Sequence, residues 1–241
     1  MRHPLPSTAL LRGIPAFTGF PLEGRRFLAG LALHNEKGWF DAHREEYEEH
    51  VLQPMRAFVV EAGARLKPKV PRLCADPRVG GSLFRIARDI RFSADKRPYK
   101  TWAAARLWDG SGPGKDVAAG FYIQVEPEEV WVGGGLYRFE DDQLERFRRA
   151  LSDPRALRAL KALLGRLSDL EIGGEELKRL PRGFALGHPA GDLAKHKGLY
   201  AGAGLPAKTT RSARVLDEAV KVFEKLVPLA AWLTKEVVVG V

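Results

Sequence analysis

The stretch AGFYIQVEPEEVWV, residues 119–132, decides the fold class. Ala119 to Val125 alternates apolar with polar positions, and Val130 to Val132 does the same, the mark of half-buried strands. Glu126-Pro127-Glu128-Glu129 between them is a compact turn, so the pair reads as an antiparallel hairpin. Working upstream, Trp102–Trp108 and Ser82–Phe92 alternate too and are expected to add two more strands. The flanks are helical in period. Glu23–Leu33 reads as a short helix and Lys37–Leu66 as a long one, kinked at Pro54, where a proline removes a backbone bond. Downstream, helices are expected at Asp141–Leu151, Pro154–Arg166 and Gly174–Leu180. A long C-terminal one covers about Ser212–Val238, with a kink at Pro228 and a glycine-rich loop, Gly198–Gly204, ahead of it. Strand–helix units do not repeat. The expectation is therefore α+β: an antiparallel sheet of about four or more strands flanked by helices, with long N- and C-terminal helices.

With 241 residues, 45% hydrophobic and 29% charged, the chain has the composition of a globular protein and length enough for a substantial core. Residues 1–15, proline-rich and aperiodic, read as a flexible arm before a single domain over 16–241. The most apolar run, Val227–Leu233, is far shorter than the roughly 20 residues of a bilayer helix, so no membrane partner is expected. The N-terminus lacks the continuous apolar run of a secretory signal. A lone Cys74 forms no internal disulfide and no thiolate cage. A cytoplasmic location follows as the expectation.

Charge is more informative once it is located. Leu83–Thr101 carries six basic residues against two acids, and Leu193–Leu216 carries five against none; together they account for the whole excess of +9. Two localised excesses suit either an anion-facing surface or two solvated faces. In a regular strand over Ser82–Phe92, Arg88 falls between Ile86 and Ile90 on the apolar face. A bulge must then turn it outward, a carboxylate must pair with it, or it must line a ligand cavity. Arg85, Arg88 and Arg91 have the paired donors that fit phosphate or carboxylate, and Ser93, Lys96, Tyr99 and Lys100 add donors on the loop that follows. Asp89 or Asp95 is a candidate general base, or only holds the arginines in place.

The run RIARDIRFSADKRPYKT, residues 85–101, resembles the signature of an uncharacterised bacterial and fungal family, domain of unknown function 2461. Other stretches fit in the same order: Trp39-Phe40 with His43 and Tyr47, then Gly120-Phe121-Tyr122, Gly133-Gly134-Gly135, Pro181-Arg182-Gly183-Phe184, His188-Pro189 and Lys195-x-Lys197. The similarity spans about Phe17 to Leu233. Two positions depart from the pattern, His34 where asparagine is usual and His196 where the family tends to be apolar. The resemblance implies kinship and supplies no activity.

Three further groups invite chemistry. Gly133–Gly135 offers backbone amides to an anion, but Glu140, Asp141 and Asp142 at the next helix would repel one, so a tight exit from the hairpin is the better reading. His188, beside Asp192, Lys195, His196 and Lys197, suits a proton shuttle near an anion, or a histidine bonded into its own turn. His43, Glu46 and His50 share a helical face without a second cluster, so no metal is expected, and no cofactor motif is present. The sequence thus points to binding of an anionic, phosphate- or carboxylate-bearing ligand through Arg85, Arg88, Arg91, Ser93, Lys96, Tyr99, Lys100, Lys195 and Lys197. Nucleic acid is one such partner. The alternatives are an enzyme for a small anionic substrate, using Asp89 or His188, and a regulatory scaffold.

Overall fold

The computed structural model describes residues 13–112, 114–184, 187–206 and 208–240, so most of the arm expected over 1–15 lies outside the described residues. Helix α1 (Leu22–Leu33) is followed by α2 (Lys37–Ala42) and α3 (Arg44–Tyr47), then a π-helical turn (Glu48–Leu52) and α4 (Gln53–Leu66). The single long helix expected over 37–66 is thus broken. At His43 the backbone leaves the helical region, with φ −112° and ψ 20°. Pro54 has no N–H to give the fourth residue back, and the ladder upstream of it slips so that the Gln53 N–H bonds the Glu48 carbonyl. The expected kink is realised as this π turn.

Six strands form one antiparallel sheet in the order β1-β2-β3-β4-β6-β5. They are β1 (Leu73–Cys74), β2 (Ala103–Asp109), β3 (Gly120–Val125), β4 (Val130–Leu136), β5 (Glu171–Gly173) and β6 (Leu199–Gly204). Helices α5 (Asp141–Ser152) and α6 (Pro154–Gly165) connect β4 to β5, and α7 (Arg214–Leu233) closes the fold with a second π turn over Thr234–Val239. Asp153 caps α6 by accepting from the Arg155 and Ala156 N–H groups, which is why two helices, not one, span 141–165. Among the described residues no helix is long and apolar enough to cross a membrane.

Helices α4 and α7 pack on one face of the sheet. Strand alternation delivers Phe121, Ile123 and Val125 of β3, Val130, Val132 and Leu136 of β4, and Leu199 and Ala201 of β6 to that face, where all are buried. They share a core with Phe58, Leu66, Phe223 and Leu226. Burying each such side chain contributes about 1.5–3 kcal/mol.

Three expectations for the glycine-rich segments are corrected. Gly198–Gly204 is not a loop: Leu199–Gly204 is a sheet strand between β4 and β5. Gly133–Gly135 is not the hairpin's exit but lies inside β4. The reason for both is a side chain. The Trp131 indole lies flat across the outer side of β4 and β6, and a Cβ on Gly133 or on Gly202 would stand 2.3 Å from it. The glycines are there to be covered. Gly174–Leu180 is not a helix, because Leu177 and Lys197 exchange backbone bonds with Lys195 and Glu175, and these extended pairings compete with helical ones.

Gly202→Ala should destabilise the fold by about 1–3 kcal/mol, the cost of overpacking a close contact. Part of that loss should vanish on a Trp131→Ala background, measured as a double-mutant cycle in urea. Fully additive losses would show that the indole is not what the glycine makes room for.

Candidate functional site

The segment expected to be one strand, Ser82–Phe92, is not a regular strand, and the departure creates the site. Ser82–Phe84 runs antiparallel to Ala104–Arg106 along the outer edge of β2, and Ile86–Arg88 runs antiparallel to Pro98–Lys100. Between these two stretches Arg85 alone faces Thr101, Trp102 and Ala103. A bulge of this kind bends the ribbon and re-aims side chains. Beyond it, residues 89–97 form an excursion off the sheet edge.

Short polar staples hold that excursion. Asp89 accepts from the Arg91 backbone N–H at 3.2 Å and from its guanidinium Nε at 3.0 Å and Nη2 at 2.7 Å. Asp95 repeats the arrangement with Arg97, at 3.0 Å from the backbone N–H and 2.7 Å from Nη2. Asp76 and Arg78 do the same upstream, with N–H and Nη2 at 3.1 and 2.6 Å. Asp95 also accepts from Arg88 Nη1 at 2.6 Å, and Arg88 donates further to the Arg97 carbonyl at 3.2 Å and to Ser93 Oγ at 3.4 Å. The guanidinium between two isoleucines is therefore paired and half-buried at once.

The base of the excursion is clamped from the N-terminal helices. The Asn35 side chain accepts from the Tyr99 N–H at 2.9 Å and donates to the Tyr99 carbonyl at 3.0 Å, imitating one more rung of sheet. The Tyr99 ring stacks on Phe40 at 4.4 Å. Asn35 was not singled out in the sequence, where nothing distinguishes an asparagine that substitutes for a strand from one in a turn.

Arg88, Asp89, Asp95, Arg97, Tyr99, Lys100, Thr101 and Trp102 line an open depression of about 420 Å³. Of the expected ligand-binding residues it gathers Arg88, Tyr99 and Lys100, together with Asp89. Arg85 and Arg91 are exposed beside it, Lys96 donates to the Ile90 carbonyl at 3.1 Å, and Ser93 is taken up by Arg88. Lys195 and Lys197 are outside its lining and carry their own carboxylates, Asp192 at 2.6 Å and Glu175. His188 is bonded into its turn through Nδ1, which accepts from the Ala190 N–H at 3.1 Å, and its ring meets Phe184 edge-on. His196 is buried, and burial holds its imidazole below the usual value. His43 stacks on Trp39 at 4.0 Å, and among the described residues no three His, Cys, Asp or Glu side chains gather around a metal site.

Electrostatically the depression is uneven. Asp95 is held far below the ordinary carboxylate range, first by its bonds from Arg97 and then by Arg88; Asp89 is held down by Arg91. Neither is a base near neutrality. Lys100 differs. Its ammonium donates to the Arg85 carbonyl at 2.7 Å and lies 5.5 Å from the Phe84 ring and 5.0 Å from Trp102. No carboxylate among the described residues pairs with it. Burial, and then the neighbouring Arg88 charge, lower its pKa from the ordinary lysine value.

A family model described as "Conserved hypothetical protein (DUF2461)" matches residues 23–232, most of the chain. No curated protein matches it.

Because the folded pKa of Asp95 lies below its unfolded value of about 3.9, its bonds stabilise the fold fully above about pH 4 and lose that effect as pH falls further. Acid unfolding followed by circular dichroism should show a shallower fall between pH 4 and pH 2 in Asp95→Asn than in the wild type. Superimposable acid limbs would mean that the staple does not hold the excursion.

Proposed function

The chain belongs to the DUF2461 family of conserved hypothetical proteins, and on that footing we propose that it binds an anionic group, phosphate or carboxylate, at the depression beside the 89–97 excursion. The observation that carries this reading is Lys100. It is a half-buried ammonium with a carbonyl and two aromatic faces around it, a second cation nearby and no carboxylate paired with it among the described residues. An incoming anion supplies what the fold withholds. Charge-assisted hydrogen bonds of this type are about twice as strong as neutral ones.

Arg88 and Arg97 contribute differently. Both already share Asp95, so each presents only its spare N–H donors to a ligand. Thr101 adds a hydroxyl. Binding rather than catalysis fits the acids best, since Asp89 and Asp95 are both pinned in the ionised, weakly basic state. A cytoplasmic setting goes with this reading and with a single cysteine, Cys74.

Calorimetric titration with tripolyphosphate tests it. The wild type should bind, and Lys100→Gln should weaken binding by about tenfold or more, the loss of one charge-assisted contact. Wild-type affinity should fall as pH rises toward the lowered pKa of Lys100, since only the ammonium attracts the anion; the variant should lack that fall. Equal affinities in the two proteins at every pH would remove Lys100, and with it the proposal.

A further inference from the structure

The face of the sheet turned away from α4 and α7 carries a continuous row of aromatic rings. Phe84 on the β2 edge meets Tyr122 of β3 at 5.9 Å, Tyr122 meets Trp131 of β4 at 6.1 Å, Trp131 meets Tyr200 of β6 at 6.1 Å, and Tyr200 meets Tyr137 at 5.9 Å. The register explains the line. Tyr122 and Trp131 sit on adjacent strands one diagonal step apart, and Gly133 and Gly202 leave the surface under the indole flat. The row's two ends are the most open, Phe84 at 41% and Tyr137 at 80% exposure, while the three rings between them are half-buried. Such exposed aromatic surface serves no core.

Two cations adjoin this row. Lys100, without a carboxylate partner among the described residues, lies over the Phe84 ring at its head. Arg106, directly opposite Tyr122 in the sheet, donates to the Ala118 carbonyl and has its charge partly offset by Asp116. The acids of the face stand at its margins, Glu126 and Glu129 at the β3–β4 turn and Glu171 on the edge strand β5. Ring faces and edges alternate along the row, since Phe84 stands at 79° to Tyr122 and Trp131 at 84° to Tyr200. The faces left open beside the unpaired Lys100 ammonium complement a chain of flat π rings joined by negative charges.

We propose that the outer sheet face is a stacking platform for single-stranded nucleic acid, its bases lying along Phe84, Tyr122, Trp131, Tyr200 and Tyr137 and a backbone phosphate seated at Lys100. This rests on the anion-binding reading of the depression and specifies the polymer that supplies the anion. Duplexes do not fit, because their bases are already stacked on one another. Recognition through ring faces also makes binding tolerant of base identity.

The test uses the full chain, a fluorescein-labelled oligothymidylate of about 12 nucleotides, within the span such surfaces cover, the corresponding duplex, and tripolyphosphate. Tyr137→Ala removes an exposed ring at the end of the row away from Lys100, so it should fold, as circular dichroism would verify. It should weaken oligothymidylate binding about fivefold or more while tripolyphosphate affinity stays at the wild-type level. Unchanged oligothymidylate binding in this variant, or a duplex bound as tightly as the single strand, would overturn the platform. Tripolyphosphate bound without oligothymidylate would overturn it and leave the anion site standing; neither bound would overturn both.

Discussion

An antiparallel sheet buried on one side only must finish its other face with side chains, and that asymmetry governs this molecule. Helices α4 and α7 supply the core for one face. On the other, strand alternation presents Tyr122, Gln124, Trp131 and Tyr200, which shield the backbone by lying against one another and over glycines. The Tyr122 hydroxyl donates to Gln124 Oε1 at 2.5 Å, so this polar tip is satisfied within the layer. The edge of β2 is covered in turn by Ser82–Phe84, whose departure from the edge at the bulge throws out the 89–97 excursion. The aromatic row and the depression are two consequences of one uncovered face.

Charge in the excursion is arranged by proximity along the chain. Three times an aspartate pairs with the arginine two residues later, at Asp76–Arg78, Asp89–Arg91 and Asp95–Arg97, each time also accepting that arginine's backbone N–H. These exposed pairs add little to global stability. Their effect is local order: they fix turns and cancel part of the charge, and Arg85, Lys96 and Lys100 keep no carboxylate partner among the described residues. Of these three only Lys100 is half-buried. A buried-edge ammonium between two rings gains about 0.5–2 kcal/mol from cation–π attraction, which compensates part of its lost hydration.

Much of the architecture was legible in the sequence, because period and turn chemistry are local signals. The β3–β4 hairpin, α5, α6 and the long C-terminal helix follow from spacing and from Pro127 and Pro154. The errors share one cause. Gly133–Gly135, Gly198–Gly204 and Gly174–Leu180 were read by composition, yet their conformation is set by Trp131, by sheet neighbours and by the 195–197 segment, all distant or across strands. Ser82–Phe92 alternates like a strand but is interrupted by a bulge whose extra residues lie on the opposing segment, Thr101–Ala103, where alternation in 82–92 carries no trace of them. At the site, the arginines were visible and their neutralisation was readable too: the repeated Asp-x-Arg spacing is a signal in plain view. The Asn35 clamp and the isolation of Lys100 are products of tertiary contact, and no local pattern announces them.

The central claim is that one lysine stands half-buried beside another cation, unpaired, and takes up an anion. Side-chain NMR of the protein labelled at its lysine ε-carbons, with Lys100 assigned by Lys100→Gln and titrated with and without tripolyphosphate, measures this directly. The account predicts one resonance that titrates below the others and moves up toward the ordinary lysine value when the anion is present. A Lys100 resonance that titrates with the remaining lysines, and is indifferent to tripolyphosphate, would contradict it.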